Sequence, residues 1–255
     1  MMSMHAVHMM SGRNANLPKT DAGERIYAVG DVHGRYDLLE KLIDEIGRHN
    51  RDLSPAKSLH ILFLGDLIDR GPDSARVLGF LHDLQRRSNR VLVLQGNHEE
   101  AMVQAIDGNL EILQGWLRFG GAETVRSFGL APPEDGMDLR RYLRELRAAI
   151  PSSLVDWVRR LPLTARSGDY FFCHAGIRPG VALRKQVRDD LLWIRDDFLD
   201  DPRDHGAVIV HGHSIETNVQ FRGNRIGIDT GAYRTGTLTA LYLEDDRQEL
   251  ISIDA

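Results

Sequence analysis

The stretch RIYAVGDVHGRYDLLEKLIDEIG, residues 25–47, joins a short apolar run to a polar loop and then to an amphipathic pattern. The run at 25–30 has the length and composition of a buried β-strand. In the second half, apolar side chains recur at the spacing of one helix face, at Leu38, Leu39, Leu42, Ile43 and Ile46. Asp37 can cap the first turn of that helix. The stretch therefore predicts a strand, a loop and a helix in succession.

Four further apolar runs of strand length follow the first. They are HILFLG at 60–65, RVLVLQG at 90–96, DYFFCH at 169–174 and AVIVHG at 207–212. The second run also leads into a helix pattern, which starts near Pro72 and places on one side Val77, Leu78, Leu81 and Leu84. Two successive strand–helix units predict a βαβ arrangement and an α/β fold with a largely parallel sheet.

Strand signals disappear between about residues 98 and 161, where helix-favouring segments replace them. We interpret this stretch as a helical insertion, because strand-end motifs of the same kind resume after it. The last segments, NRIGIDTG, GTLTALYLED and RQELISIDA, alternate and turn like antiparallel strands. The start has no basic region leading into an apolar core, so it does not resemble a signal peptide. We predict a mobile tail at 1–22 and one domain at 23–255.

Composition limits the classes of partner. The chain of 255 residues has a formal charge of −5 and a pI near 6.1, which argues against a dedicated nucleic-acid binder. Its single cysteine excludes an intramolecular disulfide, and we therefore expect a reducing, cytoplasmic compartment. No apolar run approaches the roughly 18 residues of a membrane span, so no membrane partner is expected.

The carboxyl end of each of the five apolar runs carries polar residues of catalytic or metal-binding type. These clusters are GDVHG at 30–34, GDLIDRG at 65–71, GNHEE at 96–100, CHAG at 173–176 and HGHS at 211–214. In open α/β sheets, ligands bind beyond the carboxyl ends of the strands. We therefore expect the five clusters to converge in space.

Six residues in these clusters have the types of metal ligands. They are two carboxylates, one amide and three imidazoles: Asp31, His33, Asp66, Asn97, His174 and His213. A mixed oxygen and nitrogen set without thiolates suits manganese, iron or zinc. Six ligands are too many for one catalytic ion that keeps positions open, but they suit two ions about 3.5 to 4 Å apart that share a carboxylate.

The motif series GDVHG, GDLIDRG, GNHE, HAG and GHS resembles that of the calcineurin-like metallophosphoesterases. The Asp-Arg-Gly in the second motif is similar to the phosphoprotein phosphatase branch, of the bacterial serine/threonine type. The resemblance runs from about residue 25 to 240. It implies the metallophosphoesterase fold, a β-sandwich of two mixed sheets flanked by helices.

The resemblance also implies a dinuclear centre with two divalent ions, manganese first and iron or zinc as alternatives. Asp31, His33 and Asp66 match the ligands of the first metal in that family. Asp66 would bridge to a second metal, whose other ligands match Asn97, His174 and His213. In the family, a hydroxide that bridges the metals attacks phosphorus directly and no phosphoenzyme forms.

Four further residues match the family's catalytic groups. His98 corresponds to the general acid that protonates the leaving oxygen, and Asp69 to the residue that fixes its ring. Arg70 and Arg195 resemble the two arginines that hold the phosphate, together with Asn97.

Some positions keep an alternative interpretation. His211 lies on the same strand face as His213 and could be the ligand instead. Arg195 could form a surface ion pair with a neighbouring aspartate. Glu99 and Glu100 are typical of a helix start, where acidic side chains favour the positive end of the dipole.

Two features outside the motif series could also carry function. Cys173 precedes Arg178 by five positions, which invites comparison with cysteine-dependent phosphatases, although a buried structural thiol is the simpler interpretation. On one predicted helix, Arg140, Arg144 and Arg147 share a face. That face is either solvated or a docking surface for an acidic or phosphorylated substrate.

These features predict a phosphomonoesterase, most specifically a serine/threonine protein phosphatase, acting on a phosphorylated protein or a small phosphoester. The alternative is a symmetrical dinucleoside tetraphosphatase, although that group has alanine at the position of Asp69. A phosphodiesterase is disfavoured, because a second histidine is missing after GHS. A non-catalytic metal-binding module is disfavoured by the presence of His98 and Arg70.

Overall fold

A computed structural model describes residues 17–255, in which two five-stranded sheets pack face to face. The order of the first sheet is β10-β9-β1-β2-β3. Its strands are β1 Glu24–Val29, β2 Ser58–Phe63, β3 Val91–Val93, β9 Thr237–Glu244 and β10 Arg247–Asp254. Strands β1, β2 and β3 run parallel, whereas β9 and β10 pair antiparallel at the other edge.

The second sheet has the order β4-β5-β6-β8-β7. Its strands are β4 Thr164–Ser167, β5 Tyr170–Cys173, β6 Val208–His211, β7 Gln220–Phe221 and β8 Arg225–Gly227. Strands β5, β6 and β8 are parallel, and β4 and β7 are antiparallel edge strands. The predicted α/β fold with two mixed sheets is confirmed. The prediction that the last strands are all antiparallel is wrong for β8, which is parallel to β6.

The central strands are buried on both faces. In β1, Ile26 and Ala28 pack between the two sheets, whereas Tyr27 and Val29 pack beneath the helices on the outer side. This division follows from the period of two in a β-strand, which sends successive side chains to opposite faces. Because both faces are covered, the strand reads as a continuous apolar run rather than an alternating one.

Helices cover the outer faces of both sheets. In chain order they are α1 Tyr36–Asp52, α2 Ser74–Arg87, α3 Asn97–Asp107, α4 Leu110–Trp116, α5 Ala122–Ser127, α6 Leu139–Ala149, α7 Ser152–Arg159, α8 Arg188–Trp193, α9 Asp196–Leu199 and α10 Ala232–Thr235. Helices α1 and α2 pack on the first sheet, and α8 and α9 pack on the second. Within residues 17–255, no helix is long and apolar enough to cross a bilayer.

Helices α3 to α7 occupy the stretch where strand signals disappear, between β3 and β4. The strand predicted at 90–96 shortens to Val91–Val93. Beyond it, the amide of Leu94 still donates to the Phe63 carbonyl of β2, and the amide of Gln95 donates to the Pro162 carbonyl on the other side. On α6, Arg140, Arg144 and Arg147 are all exposed, and Arg147 donates to the Ile106 carbonyl at 2.8 Å. A kink at 117–121 joins α4 to α5.

Of the predicted tail at 1–22, residues 1–16 lie outside the described part of the chain. The Pro18 carbonyl accepts a hydrogen bond from the Tyr170 hydroxyl at 3.0 Å. The amide of Thr20 donates to the Asp245 carbonyl at 3.1 Å. These contacts connect the chain to both sheets, so the folded part begins before residue 23, where the domain was predicted to start.

Candidate active site

The register of the parallel strands brings the motifs together at one edge of each sheet. In the first sheet, Val29 of β1 lies opposite Phe63 of β2, and Asp31 and Asp66 follow within three residues. In the second sheet, Phe172 of β5 lies opposite Val210 of β6. His174 and His213 follow these two residues within three positions, as Asp31 and Asp66 do in the first sheet. The His174 imidazole donates from Nδ1 to the Leu64 carbonyl at 3.0 Å, which joins the two sheets at this edge.

The first group of ligand atoms comes from His33, Asp66 and His98, all within 4.8 Å of one another. His33 Nε2 lies 3.5 Å from Asp66 Oδ2, and His98 Nε2 lies 3.9 Å from the same oxygen. The Nδ1 atom of His33 bonds to the Ile68 carbonyl at 2.8 Å, which turns Nε2 toward Asp66. From the motif resemblance, we predicted Asp31, and not His98, as the third ligand of this metal.

The second group comes from Asp66, His174 and His213. His174 Nε2 lies 3.4 Å from Asp66 Oδ1, 2.8 Å from Asn97 Oδ1 and 3.2 Å from His213 Nδ1. Because its Nδ1 carries the proton donated to a carbonyl, Nε2 of His174 has a free lone pair. Asp66 thus offers one oxygen to each group, which is the position that a bridging ligand needs.

Asp31 follows β1 by two residues, and it is 2% exposed. Its Oδ2 atom accepts a hydrogen bond from the amide of His213 at 3.0 Å. Its Oδ1 atom has no partner among residues 17–255, and neither does Oδ2 of the adjacent Asp229. Burial and the negative charges of Asp229 and Asp66 raise the pKa of Asp31 well above its ordinary value. Carboxylates in such contact are stabilised by a cation between them.

The chemistry of these donors fits two divalent metal ions. Burial lowers the pKa of His33 to about 3 and that of His213 to about 2, so both imidazoles are neutral near neutral pH. Neutral imidazole and carboxylate are the forms that bind metal. A Cβ atom on Gly212 would lie 2.0 Å from Asp31 Oδ1, so only glycine leaves room for that carboxylate.

The loops of the site hold an unusual backbone. Six described residues other than glycine have a positive φ, and five of them belong to the motifs. They are His33 at 45°, Asp66 at 48°, Asp69 at 74°, Arg70 at 69° and His213 at 64°. Such conformations cost about 1 to 3 kcal/mol each and persist only where surrounding contacts enforce them.

The side chain of Glu99 makes many of the contacts that hold this backbone conformation. Its Oε2 atom accepts hydrogen bonds from the amides of Asp66 at 2.9 Å and Gly96 at 2.8 Å. Its Oε1 atom accepts from the amides of Leu67 at 2.8 Å and Ile68 at 3.3 Å. Glu99 does lie in the first turn of α3, as predicted, but its carboxylate also fixes the loop that carries Asp66.

A second buried acid holds His98. Asp69 is fully buried, and its Oδ2 atom lies 2.5 Å from His98 Nδ1. The same carboxylate accepts hydrogen bonds from Trp116 Nε1 at 2.8 Å and Thr124 Oγ1 at 2.5 Å. Burial lowers the pKa of His98, but the carboxylates of Asp66 and Asp69 outweigh it and hold that pKa above its ordinary value. Trp116 and Thr124 come from the helical insertion, where no motif marks them.

Arg70 lies at the edge of the first group. Its Nη1 atom donates to His33 Nε2 at 2.9 Å, and its guanidinium lies 4.8 Å from the centroid of the Tyr233 ring. The amide of Arg70 donates to the Gly120 carbonyl at 3.1 Å. The positive group is therefore held beside the centre, within reach of an anion.

Arg195 lies at the second group. Burial is the main cause of the lowered pKa of both His174 and His213, and the positive charge of Arg195 lowers each pKa further. Arg195 is exposed and makes no ion pair within residues 17–255, and Asp197 pairs with Arg178 instead. The alternative of a local ion pair for Arg195 is therefore not what the structure contains.

The remaining alternatives lie away from the centre. His211 belongs to neither ligand group, and its ring packs edge-on against Phe198 at a centroid distance of 5.1 Å. Cys173 is fully buried, and its thiol donates to the Gly176 carbonyl at 3.3 Å. Burial raises the pKa of this thiol far above its ordinary value, which suits a structural cysteine and not a nucleophile.

Comparison with known protein families matches residues 24–242 to the model of the calcineurin-like phosphoesterases. The chain belongs to the calcineurin-like phosphoesterase family. The family assignment expected from the motif series is thereby confirmed, and with it a hydrolase of metallophosphoesterase type.

Curated relatives carry a narrower name. A symmetrical bis(5'-nucleosyl)-tetraphosphatase of Legionella pneumophila is 32% identical over 161 residues, which are 63% of this chain and 48% of the relative. The chain thus spans about half the length of that relative. The asymmetrical bis(5'-nucleosyl)-tetraphosphatase PrpE of Oceanobacillus iheyensis is 25% identical over 247 residues, 90% of this chain and 92% of the relative. These names do not include the serine/threonine phosphatase branch that the second motif suggested.

Solved structures of other proteins share the fold of this chain. A putative diadenosine tetraphosphatase matches with a TM-score of 0.63 and 19% identity, over 93% of this chain and 98% of that one. A cold-active protein-tyrosine phosphatase of a psychrophilic Shewanella matches with a TM-score of 0.56 and 20% identity, over 92% and 82%. At such identities the likeness is one of fold.

Proposed function

We propose that this chain is a metal-dependent hydrolase of dinucleoside tetraphosphates. The observation that carries the proposal is that curated relatives of two kinds share this activity in their names, and one of them aligns over 92% of its length. This reading replaces the preference for a phosphorylated protein that the Asp-Arg-Gly motif suggested. Its symmetrical form was the alternative that the sequence left open.

We assign the metal ligands from the two groups of donor atoms and from the uncompensated carboxylate of Asp31. The residues are Asp31, His33 and Asp66 for one ion, and Asp66, Asn97, His174 and His213 for the other. When bound, two divalent ions polarise the phosphoryl oxygens and make an attacking water more nucleophilic. The donor set favours manganese, with iron or zinc as alternatives.

The two arginines hold the phosphate chain in this proposal. Arg70 lies beside His33 of the first group, and Arg195 lies on the side of the second group. Each guanidinium can bind non-bridging oxygens through two parallel hydrogen bonds. Two cations on different sides of one centre suit a polyphosphate, whose charge extends beyond the phosphate under attack. The amide nitrogen of Asn97 is available to the same oxygens.

His98 is the proton donor in this proposal, and Asp69 is its positioning residue. Because Nδ1 of His98 is bound to Asp69, Nε2 faces the centre. A nucleotide leaving group has a terminal phosphate with a pKa near 6 and needs little protonation. A serine alkoxide is far more basic and needs the proton. The buried His98–Asp69 pair is therefore the observation that favours the second candidate, a phosphoprotein substrate.

The experiment uses metal-stripped protein, reconstituted separately with manganese, iron, zinc and magnesium. Each form is assayed on diadenosine tetraphosphate, a phosphoserine peptide, a phosphotyrosine peptide and an aryl phosphodiester. We expect the highest kcat/KM on diadenosine tetraphosphate, with products that are two ADP or ATP and AMP. A higher kcat/KM on the phosphoserine peptide with the best metal would overturn the proposal in favour of the second candidate.

A further inference from the structure

Two large aromatic side chains beside the site are exposed. Phe119 is 75% exposed and Trp193 is 47% exposed, and among residues 17–255 the only other such phenylalanine or tryptophan is Phe221 at 40%. Rings of this size are usually buried, because each removes a large apolar area from water. Neither ring is part of the buried core, so both are open to a ligand.

The backbone of Phe119 is fixed against the loop that carries Arg70. Phe119 lies in the kink at 117–121, and the next residue, Gly120, has φ 119°. The Gly120 carbonyl accepts the amide of Arg70, and a Cβ atom on Gly120 would lie 2.7 Å from Arg70 Cγ. Three residues before the ring, Trp116 binds Asp69. Phe119 is therefore held next to the arginine of the first metal group.

Trp193 is fixed in a similar way on the other side. Its indole nitrogen donates to Glu100 Oε2 at 2.7 Å, and Glu100 is 6% exposed and also accepts from Arg188 Nε at 2.5 Å. Glu100 lies in the first turn of α3, two residues after His98. Arg195 follows Trp193 by two residues. The exposed ring is thus anchored within one helical turn of the proton donor and beside the second arginine.

We propose that Phe119 and Trp193 are stacking positions for the two nucleobases of a dinucleoside tetraphosphate. This inference rests on the proposed function, since it names how the same substrate is recognised. Phe119 precedes Gly120, whose carbonyl accepts the amide of Arg70, and Trp193 lies two residues before Arg195. The two arginines lie at different metal groups. The succession of ring, cation, metal centre, cation and ring matches a substrate with a base at each end and phosphates between. Flat aromatic faces stack on any base, so adenine and guanine substrates should both bind.

The test compares Trp193→Leu and Phe119→Leu with the wild type and with Phe221→Leu, whose exposed ring lies on the edge strand β7. We expect each of the first two changes to raise the KM for diadenosine tetraphosphate about 10-fold, with kcat nearly unchanged. Inhibition by pyrophosphate, which has no base, should keep its constant. Trp193→Phe should recover most of the wild-type KM, and Phe221→Leu should match the wild type.

A second readout works without turnover. ADP added to metal-stripped protein should quench the fluorescence of the exposed Trp193, and Trp193→Leu should lose that quenching, because Trp116 and Trp157 are buried. Turnover of diadenosine tetraphosphate with an unchanged KM in both leucine variants would overturn the stacking inference alone. Quenching by ADP without any turnover of the dinucleotide would instead overturn the proposed function. An equal weakening of pyrophosphate inhibition would also overturn the inference, since it would indicate displaced arginines.

Discussion

Asp69 Oδ2 lies 2.5 Å from Nδ1 of His98, at the bottom of the site and out of contact with water. This contact selects the tautomer of the imidazole, because a proton on Nδ1 is shared with the carboxylate. The other nitrogen, Nε2, is directed toward the centre and lies 3.9 Å from Asp66 Oδ2. The geometry is that of a histidine oriented by an acid for proton transfer.

His98→Asn should leave two metal ions bound and should slow the reaction in proportion to the basicity of the leaving group. We expect a loss of about 100-fold in kcat on a phosphoserine peptide and less than about 10-fold on diadenosine tetraphosphate. Steady-state kinetics on both substrates and metal analysis of the purified variant measure this. Equal losses on the two substrates would contradict the role of acid, and loss of one ion would make His98 a ligand.

Asp69→Ala should act through His98. We expect the double variant Asp69→Ala/His98→Asn to be only slightly slower than His98→Asn, because residues of one unit do not contribute additively. Trp116→Phe is a milder probe, since it removes one hydrogen-bond donor to Asp69 and keeps a large ring. Trp116→Phe should lower kcat less than Asp69→Ala does, and again more on the phosphoserine peptide than on diadenosine tetraphosphate. Additive losses of activity in the double variant would show that Asp69 does not act through His98.

His174→Ala and Asn97→Ala should each release the second metal ion. Three other candidate ligand atoms lie within 3.4 Å of His174 Nε2, so removing this imidazole removes the atom at the centre of the second group. We expect metal affinity at this position to fall by more than about 100-fold, as even residues that only support a ligand contribute 10- to 100-fold. Isothermal titration with manganese gives the number of sites. His211→Gln is the control and should keep two metal sites. Loss of one site in this variant would indicate that His211, and not His213, is the ligand.

Glu99→Ala should impair metal binding although Glu99 contacts no metal group itself. Without the carboxylate, four backbone amides lose their acceptor and the Asp66 loop loses the contacts that hold its positive φ. We expect weaker manganese binding and a lower melting temperature in the metal-free protein. Glu99→Gln keeps one acceptor oxygen and should fall between. A metal-free Glu99→Ala protein with wild-type melting would refute this support of the loop.

Glu244→Gln should destabilise the fold far from the site. Glu244 accepts hydrogen bonds from the buried Arg25 at 2.9 to 3.2 Å. Removing the charge weakens the hydrogen bonds from that guanidinium, and we expect a loss of about 2 kcal/mol in the free energy of unfolding. The exposed pair of Arg141 and Glu145 provides a control, since Glu145→Gln should change the free energy by less than about 0.5 kcal/mol.

The stability difference between the wild type and Glu244→Gln should depend on pH. Burial would raise the pKa of Glu244, but Tyr242 and Arg25 outweigh it and hold that pKa below its ordinary value of 4.5. A lowered pKa in the folded state means that protons bind more tightly to the unfolded state. The advantage of the wild type over Glu244→Gln should therefore be complete above about pH 4.5 and disappear as the pH falls through the folded-state pKa. Urea unfolding between pH 3 and 7 checks this; a constant difference would contradict it.

The convergence of the motifs could be predicted from the sequence because parallel strands end at one edge, and five of the motifs follow such strands. Asp229 follows β8 by two residues and obeys the same rule. It was missed because the alternating pattern around it suggested antiparallel pairing, whereas β8 is parallel to β6. Trp116 and Thr124 gave no signal, since their contacts with Asp69 depend on how the helical insertion packs.

Substrate choice lies beyond the motif series for a physical reason. The motifs surround the phosphorus under attack, and that group is the same in an ester and an anhydride. What distinguishes substrates is the chain on either side of it, which meets side chains such as Phe119 and Trp193. Those positions have no fixed spacing from the motifs, because the kink and the helices that carry them are set by tertiary packing.

Glu99 binds the Asp66 loop from the helix whose first turn carries Asn97 and His98, so hydrogen bonds join the two segments that carry these ligands. The ligand atoms are consequently in place before an ion arrives. Such preorganisation implies that the apoprotein stays folded, unlike a small zinc domain that unfolds without its metal. One ion could then be exchanged for another without refolding the chain, and the choice of metal would follow its supply.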